Sequence, residues 1–366
     1  MSLALTEIRR SKLKFGLLVL AVALLVFLVL FLTTLSTALV RSITGALDGV
    51  SGEVLVYADS ARDNLQGSRL EPGVVDQVAE VPGVAAAGPL SLLTTSAKFG
   101  DAESVDLQLV GTEPDLPGAP TGLVDGALPV KKGEIAMDGG GVAIGDTVTL
   151  TETDEKLTVV GLLKGAQFNA SPTGYVSDAE YAAVVRAANP QAPFVPINAV
   201  AVQVADGSDP ATVAAAIGTD VAGTKGYVKS DAVALIPGVA SITQTFGILV
   251  GLTFVIGIVV IGFFFLILTV QKLKSFTLLR AIGASTARLS GVVAAQIAIV
   301  VLLAGLVAVL LTYGAVQGLS TGIPVSLSPV LVIGTVGSVL IFSLLSGLLS
   351  VRRIARLDPA TAAGAR

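Results

Sequence analysis

The chain has 366 residues, of which 53% are hydrophobic and 14% charged, with a formal net charge of -4. It contains no His and no Cys, which excludes disulfides, thiolate metal sites, the Ser-His-Asp arrangement and the commonest metal ligand together. No G-x-x-x-x-G-K-[ST] occurs, so the chain supplies no P-loop of its own, and if ATP powers it another polypeptide must hydrolyse it.

This composition is that of an integral membrane protein attached to a soluble domain. Between Arg41 and Ala240 acidic residues outnumber basic ones more than two to one, whereas outside that stretch only Glu7 and Asp358 are acidic. By the positive-inside rule the basic segments face the cytoplasm and the acidic one lies across the membrane. The basic residues flank apolar runs and form no patch with aromatics, which argues against nucleic-acid binding.

In chain order, residues 1–14 alternate Leu3, Leu5, Ile8 and Leu13 with Glu7, Arg9, Arg10, Lys12 and Lys14. That pattern predicts a cytoplasmic interfacial helix on membrane lipid, with a solvated tail as the alternative. Phe15–Val40 (15–40) is an apolar run longer than a signal-peptide core of about 7–15 residues and ends in LSTALVRS without an A-x-A site. It reads as an uncleaved first span with Arg41 at its outer end.

Residues 41–240 then read as an extracytoplasmic α+β domain and stalk, long enough for a core of its own. Glu53–Tyr57, Leu107–Val110, Thr147–Leu150, Leu157–Leu162 and Ala199–Val204 are strand-like. Helix signals fall at Pro72–Glu80, at Asp178–Arg186 behind Ser177, and at Pro210–Ile217 behind Asp209. The Gly139–Gly141 triplet lacks the Lys of a phosphate loop and reads as a turn. Asn169-Ala170-Ser171 fits a glycosylation acceptor, but such triplets arise by chance and Pro172 follows it.

After Pro237-Gly238, the polar turn Ser241–Thr245 leads into a second span over 246–270, in which Gly247 and Gly251 form a GxxxG. A polar bridge, 271–289, precedes a third span over 290–313. An uncharged outer loop (314–329), a fourth span (330–351) and a basic tail (352–366) with Arg352, Arg353 and Arg356 complete the chain. The predicted fold is four transmembrane α-helices with one α+β extracytoplasmic domain between helices 1 and 2, and both termini in the cytoplasm.

The charges of the bridge QKLKSFTLLRAIGASTARL, namely Lys272, Lys274, Arg280 and Arg288, are all positive, which places it inside. Phe276, Leu279, Ala281 and Ile282 have helix-compatible spacing and Gly283 stands as a C-cap. A solvated connector and a short helix docked on another protein are both open on these grounds.

LKSFTLLRAIGAS resembles the segment after the second span of MacB-type and FtsX-like ABC transporter permeases. Leu279, Arg280, Ala281, Ile282, Gly283 and Ala284 match that pattern, while Ser275 stands where many members carry Glu. VAEVPGVAAAGPL (Val78–Leu90) and GVAIGDTVTL with LTVVGLL (Gly141–Leu163) are similar to the family's periplasmic core domain, and VRRIARLDPATAA to its terminal basic helix. The resemblance implies a homodimer that recruits two copies of an ABC ATPase subunit, with ATP and Mg on that partner and no cofactor or metal on this chain. It further implies that Lys274, Ser275, Phe276, Leu279, Arg280, Ala281, Ile282 and Gly283 form the ATPase-coupling segment. Movement of that segment would pass through the first two spans to the outer domains.

Within the family, Gly262–Gly283 is similar to haem-exporting permeases, which implies an amphipathic substrate, with haem the leading one. Without His, and with Met only at Met1 and Met137, ligation falls to Tyr or carboxylate. Arg41, Tyr57, Gln244, Phe246 and Tyr313 are the candidate substrate-binding residues, Arg41 as partner of a propionate; interfacial anchoring is the alternative for each. A different reading from the same family is an FtsX-like regulator of a cell-wall hydrolase that moves nothing across, and lipoprotein or peptide export is a variant of the first.

Overall fold

The computed structural model describes residues 12–100, 102–271, 286–319 and 328–355. Two compact units divide the chain: a helical one, to Ser36 and again from Gln244, and a sheet-bearing one, Thr37–Thr243.

In the helical unit lie most of α1 (Lys12–Asp48) and α6 (Val239–Gln271), with α7 (Thr286–Leu319) and α8 (Pro329–Ala355). Among the described residues, three helices are long and apolar enough to cross a membrane, Lys12–Asp48, Val239–Phe264 and Gly291–Gly318, and a shorter apolar stretch covers Pro329–Leu345. The buried stripe of α1, Phe15, Leu18, Val22, Val26 and Leu30, meets that of α7, Val293, Ile297, Val300, Ala304 and Ala308. Both stripes recur at three- and four-residue steps, mostly four, the spacing that keeps one face of each helix on a common seam. Gly305 admits Val336 of α8, whose methyls would stand 3.0 and 3.2 Å from a Cβ there. α6 keeps most of its apolar surface outward, including Ile248, Leu252, Val255 and Phe263.

The sheet-bearing unit contains β1 (Val54–Ala58), α2 (Val74–Ala79), β2 (Val84–Phe99), β3 (Val105–Thr112), β4 (Leu123–Gly126) and β5 (Glu134–Asp138). They are followed by β6 (Thr147–Leu150), β7 (Lys156–Leu163), β8 (Thr173–Ser177), α3 (Asp178–Ala188), β9 (Ala199–Val204), α4 (Pro210–Asp220), β10 (Thr224–Val228) and α5 (Lys229–Ala234). The strand order is β10-β1-β9-β2-β3-β8-β5-β7-β4, with β6 paired to β2 and β7. β2 joins the two halves, because Val84–Leu90 pair with β9 and Ser91–Ala97 with β3.

Every strand expected from sequence is present, and so are the three helices, the second and third with Ser177 and Asp209 as caps: Ser177 Oγ accepts from the Glu180 N–H and Asp209 Oδ2 from the Thr212 N–H. β2, β4, β5, β8, β10 and α5 were not expected. Two of the missed strands are interrupted by residues that weaken a strand pattern: Gly88 and Pro89 in β2, and Gly226 in β10. These glycines are sites of close approach, since a Cβ at Gly88 would lie 2.1 Å from the Pro117 carbonyl oxygen and one at Gly226 would lie 2.4 Å from that of Ala214.

β1 shows how the layers close. Val54, Val56 and Ala58 pack with Val213 and Ile217 of α4, while Leu55 and Tyr57 pack on the other face with Ala46, Leu47 and Val50. A strand covered on both faces needs no polar alternation.

Candidate functional site: the joint at the end of the first helix

α1 does not stop at Val40. It runs on to Asp48, and its last residues belong to the sheet-bearing unit. Ser42, Thr44, Ala46 and Leu47 are buried there, against the loop that links β7 to β8.

That loop grips the helix through its backbone. The Asn169 and Ala170 N–H groups donate to the carbonyls of Ile43 (3.1 Å) and Ser42 (2.8 Å), and the Ala46 N–H donates to the Gln167 carbonyl (2.9 Å). Approach this close requires a bare Cα on the helix: a Cβ on Gly45 would lie 2.6 Å from the Gly165 oxygen and 2.9 Å from that of Gln167. Asn169 and Ala170 both hold positive φ, 53° and 57°, a left-handed conformation that costs a non-glycine residue roughly 1 kcal/mol or more and persists only where surroundings over-determine it.

Three side chains behind the loop do so. Asp138, buried at the end of β5, accepts from the Ala166 N–H at 2.5 Å. The Tyr175 hydroxyl donates to the Ala166 carbonyl at 2.9 Å, and Thr173 Oγ1 accepts from the Phe168 N–H at 2.8 Å. Burial pushes the Asp138 carboxyl above the usual aspartate range, opposed by its backbone donors and by Lys164. Burial and the nearby Asp138 charge push the Tyr175 phenol up, so it remains a donor.

The lead-in to α6 sits in the same core, where Ala232, Ile236 and Val239 join the cluster containing Ala46, Leu47 and Phe168. Among the described residues, both chain segments that pass between the two units are therefore rooted in one hydrophobic cluster of the sheet-bearing unit. On its rim, Tyr227 of β10 donates to Asp63, and Lys225 pairs with the same carboxylate at 2.9 Å. The Tyr227 and Lys225 hydrogen bonds hold the Asp63 carboxyl below the usual range.

Of the residues expected to bind substrate, Tyr57 requires correction. It is 1% exposed and packed inside the core with its ring 5.2 Å from that of Tyr227, so no face of it is open to a ligand; burial pushes its phenol up, which keeps it protonated. Gln244, Tyr313 and Arg41 are exposed, and Phe246 is half-buried. Gln244 and Phe246 stand in the first turns of α6, Tyr313 on α7, and Arg41 on the part of α1 that belongs to the sheet-bearing unit. The coupling segment, Lys274, Ser275, Phe276, Leu279, Arg280, Ala281, Ile282 and Gly283, lies outside the described residues. The joint itself was not anticipated; its signal in the sequence is Gly45, Gly165 and an Asn at 169, a residue type enriched at left-handed positions.

Comparison with protein families matches residues 15–220 to the MacB-like periplasmic core domain and residues 247–359 to the FtsX-like permease C-terminal region. The chain belongs to the MacB- and FtsX-like ABC transporter permeases. Members of this family are the permease components of ABC transporters and partner with an ATPase subunit. As one of these permeases, the protein is a membrane protein, and the sheet-bearing unit is its extracytoplasmic domain.

Among relatives, the chain is 24% identical over 377 residues to the "Putative hemin transport system permease protein HrtB" of Staphylococcus haemolyticus, covering 100% of this chain and 99% of that one. It is 23% identical over 371 residues to an uncharacterized ABC transporter permease of Mycobacterium tuberculosis, covering 99% and 98%. The periplasmic region of MacB from Actinobacillus actinomycetemcomitans is similar at 10% identity with a TM-score of 0.37, covering 50% of this chain and 92% of that one.

Proposed function

We propose that this permease works as a homodimer with two ATPase subunits and extrudes an amphipathic substrate, haem being the leading candidate. Both termini and the 271–289 bridge lie in the cytoplasm, and the chain crosses the membrane four times. Phe276, Leu279 and Ile282 dock into the ATPase, and Arg280 makes the polar contacts. ATP binding moves these segments, and α1 and α6 carry the movement into the extracytoplasmic domain, where the backbone grip on α1 converts it into a change of the sheet. Rigid elements biasing a two-state assembly are a known way to transmit such a change.

The observation that supports haem most is the end-to-end relationship to the staphylococcal permease named for hemin transport. Arg41, Gln244, Phe246 and Tyr313 are the residues left to meet the substrate, with Arg41 as partner for a propionate.

The test is ATP turnover by the purified permease–ATPase complex in nanodiscs. Haem is expected to raise turnover several-fold and to bind with an absorbance change. A complex that neither binds haem nor responds to it would overturn the substrate assignment. Turnover governed instead by a protein bound to the extracytoplasmic domain would favour control of a cell-wall hydrolase.

A further inference from the structure

One buried carboxylate of the sheet-bearing unit stands at the start of α3. Ser177 and Glu180 have the S-x-x-E spacing of a capping box, in which the Glu side chain turns back to the N-cap N–H. Glu180 reaches outward instead. It is 1% exposed, its Oε2 accepts from the Gly133 N–H of the β4–β5 loop at 2.8 Å, and its Oε1 is closed to solvent with no donor upon it. Among the described residues, the other buried side-chain atoms without a partner are hydroxyls, and this one alone is a carboxylate oxygen. It is the costlier case, because a charge-bearing acceptor has been taken out of water with nothing to replace it.

What lies against Glu180 is a second carboxyl. Glu155, half-buried in the turn between β6 and β7, is in hydrogen-bond contact with it. Two ionised carboxylates have no proton to share, so such a bond requires that one of them be neutral. The neighbouring charges leave that role to Glu155. Lys132 of the β4–β5 loop is exposed and only opposes the effect of Glu180 on it. Glu134 of the same loop is committed to the Val130 and Lys131 N–H groups, Asp178 of α3 acts on Glu113, and Asp154 and Lys156 beside Glu155 in the chain are exposed. Burial, then the hydrogen bond and charge of Glu180, hold the Glu155 carboxyl above the usual glutamate range.

We propose that Glu155 and Glu180 form an acid-closed latch on the extracytoplasmic domain: protonated Glu155 donates to Glu180 Oε1 and pins the β6–β7 turn to the first turn of α3, and loss of that proton to water frees the turn. The sign follows from the raised Glu155 carboxyl. The latch is fully closed below the ordinary glutamate value of about 4.3 and opens as pH rises through the folded value. It responds to pH on the extracytoplasmic side of the membrane, and it does not rest on the haem reading.

The test is hydrogen exchange in residues 150–156 of the full chain in nanodiscs, expressed as protection relative to the intrinsic rate at each pH. Protection is expected to fall about five-fold between about pH 4 and about pH 8, the factor that one hydrogen bond supplies. Glu155→Gln keeps a donor at every pH and should hold the acid level of protection throughout, whereas Glu155→Ala should show the alkaline level throughout. Protection of β9, Ala199–Val204, retained in both variants, shows that the domain is still folded. A flat pH profile in the unmodified chain, or a pH response that survives in Glu155→Gln, overturns the proposal. So does recovery of protection on adding calcium at about pH 8, which would make the occupant a metal ion and not a proton.

Discussion

Gly45→Ala sets two effects of opposite sign against each other. Gly45 lies inside α1 with an ordinary helical backbone, so helix propensity alone makes alanine about 1 kcal/mol more stable. Against that, the new methyl would stand 2.6 and 2.9 Å from two backbone oxygens of the β7–β8 loop, which cannot turn aside as a side chain would. The loop must retreat, which lengthens or breaks the bonds Ala46 to Gln167, Asn169 to Ile43 and Ala170 to Ser42. Three bonds at about 1 kcal/mol each outweigh the propensity gain and leave a net loss of roughly 1–3 kcal/mol. For a domain of this size each kcal/mol lowers the melting temperature by about 2–4 °C. Thermal unfolding of the purified full chain, with hydrogen exchange read at residues 164–171, measures both consequences. A variant that melts higher than the parent, with unchanged exchange in that loop, would refute the grip.

Asp138→Ala leaves the Ala166 N–H buried without an acceptor, which should cost about 1–3 kcal/mol and speed exchange at that amide. The Asp138 carboxyl is raised in the folded protein; its contribution to stability is therefore greatest below the ordinary aspartate value of about 3.9 and declines as pH rises through the folded value. The stability difference between the parent and Asp138→Asn should accordingly fall with rising pH. Asp63 has the opposite sign: its lowered folded value means the tie to Lys225 and Tyr227 is present above the ordinary aspartate value and lost only as pH falls through the lower one. Exchange in residues 59–67 should stay slow as pH falls past the ordinary aspartate value, and Asp63→Asn should abolish that persistence. Phe276→Asp with Leu279→Asp should eliminate co-purification of the ATPase, whereas retained assembly would contradict the docking assignment.

Much of the architecture could be read because the strongest patterns are long or well punctuated. The apolar runs need only length to declare themselves, and β6 and β9 carry the expected bounds because turn residues bracket uniform Val- and Leu-rich segments. β2 was hidden because its central Gly88 and Pro89 look like a turn, although Gly88 is there to let Pro117 approach. The end of α1 was misplaced for a related reason: Arg41, Ser42 and Thr44 look like an exit into solvent, but the helix continues because the β7–β8 loop and the sheet core replace the membrane around it. Tyr57 was read as a ligand on its chemistry alone, yet VLVYA has no polar alternate position, which is the mark of a strand enclosed on both faces. The joint depends on contacts between residues more than a hundred positions apart, and no local pattern announces those.

Because the natural chain has no Cys, one spin label can be placed without removing any residue to make room for it. Glu80→Cys puts that label on an exposed position at the end of α2 in each extracytoplasmic domain. Pulsed electron-electron distance measurements on the proposed permease–ATPase complex with two copies of this chain should then give different separations in the nucleotide-free and ATP-trapped states, with the difference reduced in Gly45→Ala. An identical distance distribution in both states, from a complex that hydrolyses ATP, would contradict transmission of movement through α1 and α6.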